Sequence, residues 1–272
     1  MKKNGFIATS LIYSFFLAFV ALVSVILTTY SYYRTILNTL NKDILSSLNT
    51  EIQSKYITLE NLIQNGSFED GTNKWGSQVN VEIPASSDNI SAHGANSLRL
   101  NTGNYTANSQ VQQPVVVPDN IASIGGTHTY YLRFRIFRNG NLVFSGGDAN
   151  AYANISAAPD SKIGLGGVFT NWSLESMIIE DIVTSNTTVN FTANNSVLDH
   201  QGVTDTDAGG RALSVYIDDV MLIDVTELSS KLGLSGDALK NRLDGTNCGA
   251  TDWDCQNHKL EYFDNKYSYE LD

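Results

Sequence analysis

The feature that most constrains this chain is an uncharged, largely apolar stretch close to its N-terminus, Phe6–Tyr33. A helix of about 20 apolar residues spans the roughly 30 Å hydrocarbon core of a bilayer, so this stretch is long enough with residues to spare. It also exceeds the apolar part of a cleavable secretory signal, which has about 7–15 residues. We therefore predict a retained transmembrane anchor at residues 6–33, in contact with the lipid bilayer.

The charges that flank the anchor predict its orientation. Lys2, Lys3 and the N-terminal amine precede it, and few basic residues follow it closely. Because basic residues are enriched on the cytoplasmic side of a spanning helix, we expect residues 1–5 to be a cytoplasmic leader and the large C-terminal part to be extracellular. The predicted location is the cell membrane, crossed once. Three tyrosines would lie at the outer interface, where aromatic residues are common: Tyr30, Tyr32 and Tyr33.

Beyond the anchor the sequence predicts a stalk helix at residues 34–60. No Gly or Pro occurs between Phe6 and Gly66, so we expect one continuous helix from residue 6 to about residue 58. Apolar residues recur at three- and four-residue steps, which is typical of an amphipathic helix. Such a stripe in water must be covered, by the following domain, by a filament or by a second helix in a coiled coil. The stripe consists of Leu37, Leu40, Ile44, Leu48 and Ile52.

The first residues carry a resemblance to a known family. Lys2-Lys3-Asn4-Gly5 before Phe6, then a long apolar helix and a β-rich region, resembles the type IV prepilins and pseudopilins. The resemblance implies cleavage between Gly5 and Phe6, methylation of the new N-terminus, and partners that are other subunits of a pilus-like filament. The family usually has Glu at the fifth mature position, where this chain has Ser10. A processed pilin-like subunit and a plain N-terminal anchor both remain open.

A different texture begins near Asn61 and continues to Thr226. Short apolar runs alternate with polar residues, for example in Val79–Ile83 and Thr187–Phe191, and clusters of Gly, Asn, Ser and Thr separate them. Strict alternation gives a strand one buried face and one solvated face. The natural closure of several such strands is a pair of packed antiparallel sheets. We predict a mainly β fold, with a β-sandwich at residues 61–226.

Five landmarks in this region occur in a familiar order. They are Asn61–Glu69 followed by Gly71 and Trp75, then Gly94–Leu100, Thr129–Phe137, Asn171-Trp172 and Val215–Ile223. In this order they resemble the galactose-binding-like jelly rolls, in particular carbohydrate-binding modules of the family 4, 9 and 22 group. The resemblance implies a jelly-roll β-sandwich that binds a glycan or another cell-surface polymer without catalysing a reaction.

Two kinds of site follow from this resemblance. It implies a structural calcium ion between the first and last strands, with Glu69 and Asp219 as ligands, because calcium takes about six to eight oxygen ligands. The alternative is that Asp219 lies at a strand end in water. A sugar site needs aromatic faces beside polar groups, and the candidates are Tyr105, Tyr152 and Trp75. The alternative for these rings is an incidental position on the surface.

Residues 227–272 are predicted to be a tail of short helices and loops that packs back on the sandwich. Leucines at Leu228, Leu239 and Leu243 favour one or two short helices. Cys248 and Cys255 are the only cysteines of the chain. In an extracellular domain two such cysteines are expected to form a disulfide bond.

Charge and motifs exclude several functions. The formal net charge is −11, and nucleic-acid binding needs a basic surface, so no nucleic-acid partner is expected. The sequence contains no G-x-S-x-G, H-E-x-x-H or P-loop motif, and we predict no enzymatic activity. The sequence favours a bacterial cell-surface binding protein, anchored in the membrane. The alternative is a minor pilin or pseudopilin whose sandwich contacts other proteins.

Overall fold

The computed structural model of the protein describes residues 4–84, 90–100, 108–116, 126–142, 151–184, 186–193, 215–248 and 256–271. The chain divides into two compact units, Met1–Lys55 and Tyr56–Asp272. The first is a long helix, and the second is built from antiparallel strands with a few short helices. The predicted fold class, mainly β with a long N-terminal apolar helix, is confirmed.

The helix α1, Asn4–Lys55, runs without interruption for 52 residues, a length of about 78 Å at 1.5 Å per residue. Within it, Leu11–Glu51 contains a window that is apolar and long enough to cross a membrane. Large side chains such as Phe15 and Phe19 are more than 60% exposed. The apolar stripe of the predicted stalk is exposed as well, since Leu37 and Leu48 retain 59% and 49% of their accessible surface.

The predicted end of the helix is wrong by a few residues. The helix ends at Lys55, and Tyr56–Glu60 forms strand β1, in which Ile57 and Leu59 are buried while Tyr56 and Thr58 are exposed. Strand β1 pairs antiparallel with β12, Lys266–Glu270. Tyr56 fits the helical spacing and the strand alternation equally well, so a partner that lies more than 200 residues away decides the conformation.

Two five-stranded antiparallel sheets form the body of the second unit. The first sheet contains β2 (Gly76–Val79), β5 (Ser109–Val116), β10 (Asn186–Ala193), β7 (Ala151–Ile155) and β8 (Ala158–Gly164), in that spatial order. The second contains β3 (Val81–Glu82), β4 (Leu98–Leu100), β11 (Val215–Asp224), β6 (His128–Leu142) and β9 (Gly167–Ile182). The chain passes repeatedly from one sheet to the other, as in a jelly roll.

The inner faces of the two sheets share one hydrophobic core. Phe134 of the second sheet meets Phe191 of the first in an edge-to-face contact, with ring centroids 5.0 Å apart. Val111 and Val189 from the first sheet and Leu222 from the second are fully buried in the same cluster. The alternation of apolar and polar residues therefore has the predicted structural role, because one face of each sheet packs in the core.

The outer face of the second sheet carries a second hydrophobic layer, formed mainly by the C-terminal region. The helices α2 (Thr226–Leu232) and α3 (Gly236–Asp244) cover it together with β1 and β12. Buried side chains of this layer include Tyr131, Met221 and Ile223 from the sheet and Leu228, Leu239, Leu243 and Leu260 from the tail. The tail therefore forms an added layer on the sandwich. Strand β11 is buried along its whole length because it lies between the two hydrophobic clusters.

Strand β11 is interrupted by a bulge. Its register with β6 shifts between Asp218 and Met221, and Asp219 has a left-handed backbone with φ of 51°. A bulge places an extra residue on one strand and redirects its side chain. Two consecutive acidic residues thereby enter a strand that is otherwise apolar.

Candidate functional site

The outer face of the first sheet is polar, and we call it the polar face. Residues at every second position of its central strands point away from the core, because the alternate residues Val111, Ala153, Val189 and Phe191 belong to the core. The polar face consists of Gln110 and Gln112 on β5, Tyr152 and Asn154 on β7, and Asn190 and Thr192 on β10.

These side chains stand in two rows across the strands. Asn190 lies opposite Gln112 on one side and Asn154 on the other, and Thr192 lies between Gln110 and Tyr152. Directly opposed side chains in an antiparallel pair have Cβ atoms about 5 Å apart. The first row is therefore a line of three amides, and the second ends in an aromatic ring.

Hydrogen bonds hold part of the amide row in place. Asn190 Nδ2 donates to Asn154 Oδ1 at 3.2 Å, and Gln112 Nε2 donates to Ser77 Oγ at 2.7 Å. Within the part of the chain that the structure describes, the side-chain carbonyl oxygens of Gln112 and Asn190 accept no hydrogen bond. Both residues are only half-buried, so these acceptors face solvent and can take hydroxyl donors.

Tyr152, one of the three predicted ligand-binding residues, lies on this face and is half-buried. The ammonium group of Lys162 on β8 lies over its ring, 4.5 Å from the centroid, which is a cation–π contact. A sugar ring that stacks on this side of Tyr152 has to take the place of the lysine. The lysine is a flexible side chain, so this exchange needs no movement of the backbone.

Of the other two predicted ligand-binding residues, Trp75 is buried. Trp75 is 3% exposed and stacks on Phe68 with ring centroids 5.2 Å apart, and its Nε1 donates to the Asn65 carbonyl oxygen at 3.1 Å. A buried indole has no face to offer a ligand, so the prediction for Trp75 is wrong and the residue is part of the core. Tyr105 lies outside the described residues.

The remaining predicted sites are placed as follows. Gly5 and Phe6 lie in the first turn of α1, and cleavage between them stays a prediction. Cys248 takes part in a disulfide bond, while its predicted partner Cys255 lies outside the described residues.

Glu69, a predicted calcium ligand, holds a loop through hydrogen bonds. Its Oε1 accepts the backbone N–H groups of Ala95 and Asn96, both at 2.8 Å. Gly94, in the same loop, has φ of 66°, and a Cβ atom there would overlap the Glu69 carboxylate. Only glycine allows this close approach, so the side chain and the loop form a fitted pair.

Asp218 holds the first part of the same loop. Its Oδ2 accepts the N–H groups of Ala92 at 2.8 Å and His93 at 3.0 Å, and its Oδ1 accepts the N–H of Asp219 at 2.8 Å. Burial raises the pKa of Asp218 to about 7, against the opposing effect of the hydrogen bonds from the loop.

Asp219, the other predicted calcium ligand, faces cationic side chains. Its Oδ2 lies 3.3 Å from Arg135 Nε, and its Oδ1 lies 3.7 Å from His93 Nδ1. Burial raises the pKa of this carboxyl, and the charges of His93, Arg135 and Arg133 oppose the rise. Asp219 also lines a cavity of about 390 Å³ between the second sheet and Lys259–Tyr262.

These contacts do not fit a calcium ion held between Glu69 and Asp219. Glu69 is not among the residues that line the cavity at Asp219, and its Oε1 already faces two N–H donors, which have the wrong polarity for neighbours of a cation. Across the described ranges no group of three His, Cys, Asp or Glu side chains is suited to hold a metal ion.

Sequence reasoning missed the amide row and Arg135. A signal existed for both, because the alternation in Ser109–Val116 and Asn186–Ala193 places amides on one face of each strand. The alternation in His128–Leu142 likewise places Arg133 and Arg135 on the side opposite the core residues of β6. What the sequence could not supply is which strands are neighbours.

Comparisons with known proteins give no family. No protein-family model and no curated protein matches the chain. Among solved structures, it is similar to "Family 16 Carbohydrate Binding Module-2", with 15% identity over 60% of this chain and 100% of that one, at a TM-score of 0.38. TmCBM61 in complex with β-1,4-galactotriose shows 16% identity over 60% and 98% of the two chains, at 0.36.

The enzymatically active domain of tailspike protein 4 from bacteriophage CBA120 shows 14% identity over 60% of this chain, at a TM-score of 0.39. This chain spans 21% of that protein's length. Identities this low do not transfer a ligand or an activity to this chain.

Proposed function

We propose that the protein is a membrane-anchored, non-catalytic binding protein whose polar face binds a glycan or another hydroxyl-rich polymer outside a cell. The observation that carries this proposal is the pair of half-buried amides Gln112 and Asn190, aligned across neighbouring strands and extended by Asn154, beside Tyr152. Asn154 is buried and donates to the Pro159 carbonyl oxygen, so it holds Asn190 in place and leaves Gln112 and Asn190 to meet the ligand. Amides both donate and accept hydrogen bonds, as hydroxyl groups do. A flat row of such groups suits an extended chain of sugar units.

Charge supports a neutral ligand for this face. Its six side chains are uncharged residue types, and the ammonium group of Lys162 contacts them through the ring of Tyr152. Sugar recognition combines a few placed polar groups with an aromatic surface, and the polar face offers both.

The helix α1 supports membrane attachment. Most of its apolar side chains in Leu11–Glu51 are exposed, and burial of such a surface in lipid is strongly favourable. We propose that residues 6–33 cross the membrane once, with the N-terminus in the cytoplasm. The second unit would then present the polar face outside the cell.

A binding experiment tests the polar face. The full-length protein in lipid nanodiscs is applied to a glycan array, and affinity for the glycans retained is measured by calorimetry. Replacing Asn190 by alanine removes the central amide, and we expect this change to weaken binding about 10-fold, as the loss of one or two ligand hydrogen bonds does. Tyr152→Ala is expected to weaken binding to a similar extent.

The matched control is Asn171→Ala, an exposed asparagine on β9 of the other sheet, which should bind as the wild type does. Equal affinity of the Asn190 and Asn171 variants would place the ligand elsewhere. A wild-type protein that retains no glycan on the array would refute the glycan proposal itself.

A second candidate function is that of a minor pilin-like filament subunit. The observation that favours it is the continuity of α1 as one helix, most of whose described apolar side chains are exposed, as helix packing between subunits requires. This candidate predicts that the mature protein begins at Phe6 and carries an N-terminal methyl group. Intact-mass spectrometry of protein from its native membrane measures both, and an N-terminus at Met1 would exclude processing.

A further inference from the structure

We infer that the guanidinium group of Arg135 takes the place of a bound cation at Asp219, so that the bulge of β11 and the loop Ile90–Ser97 are held together without a metal ion. The inference concerns stability and is independent of the proposed glycan site. The predicted calcium ligands Glu69 and Asp219 face N–H donors and a guanidinium group in the structure.

The loop itself holds two of the three carboxylates in this region. Asp218 and Glu69 accept four backbone N–H groups from the loop, those of Ala92, His93, Ala95 and Asn96. These backbone donors stabilise the ionised form of both carboxylates, and at Asp218 they oppose the rise in pKa that burial causes. The loop needs no cation to bring these two side chains together.

Among the described residues no backbone N–H donates to the Asp219 carboxylate, and its Oδ1 is a buried atom without a hydrogen bond. Its side chain is 4% exposed, and a buried carboxylate without a partner is costly. Arg135 Nε lies 3.3 Å from its Oδ2. Guanidinium stays charged at any physiological pH and presents a rigid planar set of donors, so it supplies a permanent positive charge at this point.

The pairing of β6 with β11 brings Arg135 and Asp219 together. Arg135 is opposite Asp218 in the ladder between β6 and β11. Its neighbours Phe134 and Ile136 are in the sandwich core, so its own side chain points to the outer face. The bulge, with its left-handed backbone at Asp219, turns that carboxylate toward the same face. Register and bulge together therefore set the ion pair.

Two other cationic groups stand close without being able to replace Arg135. His93 Nδ1 is 3.7 Å from Asp219 Oδ1, beyond hydrogen-bonding distance, and its side chain is 58% exposed. Arg133 is buried and donates through Nη1 to the carbonyl oxygen of Leu260. Arg135 is thus the one of the three whose contact with the Asp219 carboxylate is closest.

The experiment is thermal unfolding of the full-length protein in detergent micelles, followed by tryptophan fluorescence, in EDTA and in millimolar calcium chloride. The wild type is expected to have the same Tm in both. Arg135→Gln is expected to lower Tm by about 5 °C in EDTA, because the buried Asp219 carboxylate loses its partner, while the partial exposure of Arg135 moderates the effect. Arg135→Lys is expected to recover much of the loss, because it restores the positive charge.

The matched control is Lys231→Gln, which breaks the exposed pair with Glu227. Lys231 and Arg135 have nearly equal side-chain exposure, 37% and 38%, and this variant should change Tm little. The double variant Arg135→Gln, Asp219→Asn should be more stable than Arg135→Gln alone, because the buried Asp219 charge that has lost its partner is then removed as well. This comparison also serves if Arg135→Gln alone does not fold.

Two outcomes overturn the inference. The first is a wild-type Tm that falls in EDTA and returns with calcium, which would mean that a metal ion holds this region. The second is an Arg135→Gln variant as stable as Lys231→Gln, which would mean that the Asp219 charge needs no partner.

Discussion

Replacing Gly66 by alanine is expected to destabilise the sandwich strongly. A Cβ atom on this residue would overlap the carbonyl oxygen of Val220 and lie 3.1 Å from its carbonyl carbon. The two segments are held at this distance by the hydrogen bond from Val220 N–H to the Gly66 carbonyl oxygen, 3.0 Å long. Val220 belongs to β11, which is packed on both faces, so its backbone has no room to retreat.

The expected cost of this substitution is about 3 kcal/mol or more, since overpacking a dense interior displaces backbone and side chains alike. Domains of this kind are stable by about 5–15 kcal/mol. Urea unfolding of the full-length protein in detergent, followed by tryptophan fluorescence, measures the loss. Gly76→Ala is the control, because the nearest heavy atom to its Cβ would be 4.0 Å away. A Gly66→Ala variant that unfolds at the wild-type urea concentration would contradict the prediction.

The second large effect is expected at Leu239, where aspartate should detach the C-terminal layer from the second sheet. Leu239 is fully buried in the second hydrophobic layer, on the outer face of the second sheet, together with Leu243 and the sheet residue Met221. A carboxylate at this position would be buried without a partner, and such changes cost about 4 kcal/mol or more. The sandwich core is a separate cluster, so we expect its strands to persist while the layer opens.

Limited proteolysis with mass spectrometry measures this opening, because a detached layer exposes the backbone of residues 226–248 to cleavage. The control is Ala238→Asp, which adds the same charge to the neighbouring, exposed position of α3 and should leave the cleavage rate unchanged. Equal protection of both variants would show that α3 is not held to the sheet by Leu239.

Local patterns in the sequence were sufficient for the class of fold. The uncharged stretch before Arg34 predicted the apolar helix, and the alternation in Thr187–Phe191 predicted a strand with one buried face. Both signals are periodicities within a single element, which depend only on the geometry of helix and strand. The packing of the leucine-rich tail on the sandwich was predicted as well, because its apolar residues needed a surface.

Contacts between distant segments were beyond this kind of reasoning. Strand β1 was predicted as the end of a helix because its partner β12 lies far along the chain. Trp75 was predicted as a ligand platform, although an aromatic ring serves equally well as core, and only its contact with Phe68 decides between them. Asp219 was predicted as a metal ligand because the sequence does not show that Arg135 faces it.

The direct junction between α1 and β1 has a mechanical consequence. With the helix fixed in a membrane and a ligand held on the polar face, tension enters the second unit at Tyr56, the first residue of β1. This strand contributes Ile57 and Leu59 to the outer cluster and none of its residues to the sandwich core. Under load β1 would therefore detach before the core does, releasing about 17 Å of chain from five residues at about 3.3 Å each. The hydrophobic layer on the outer face of the second sheet would then give way first, and the sandwich that carries the polar face would stay folded.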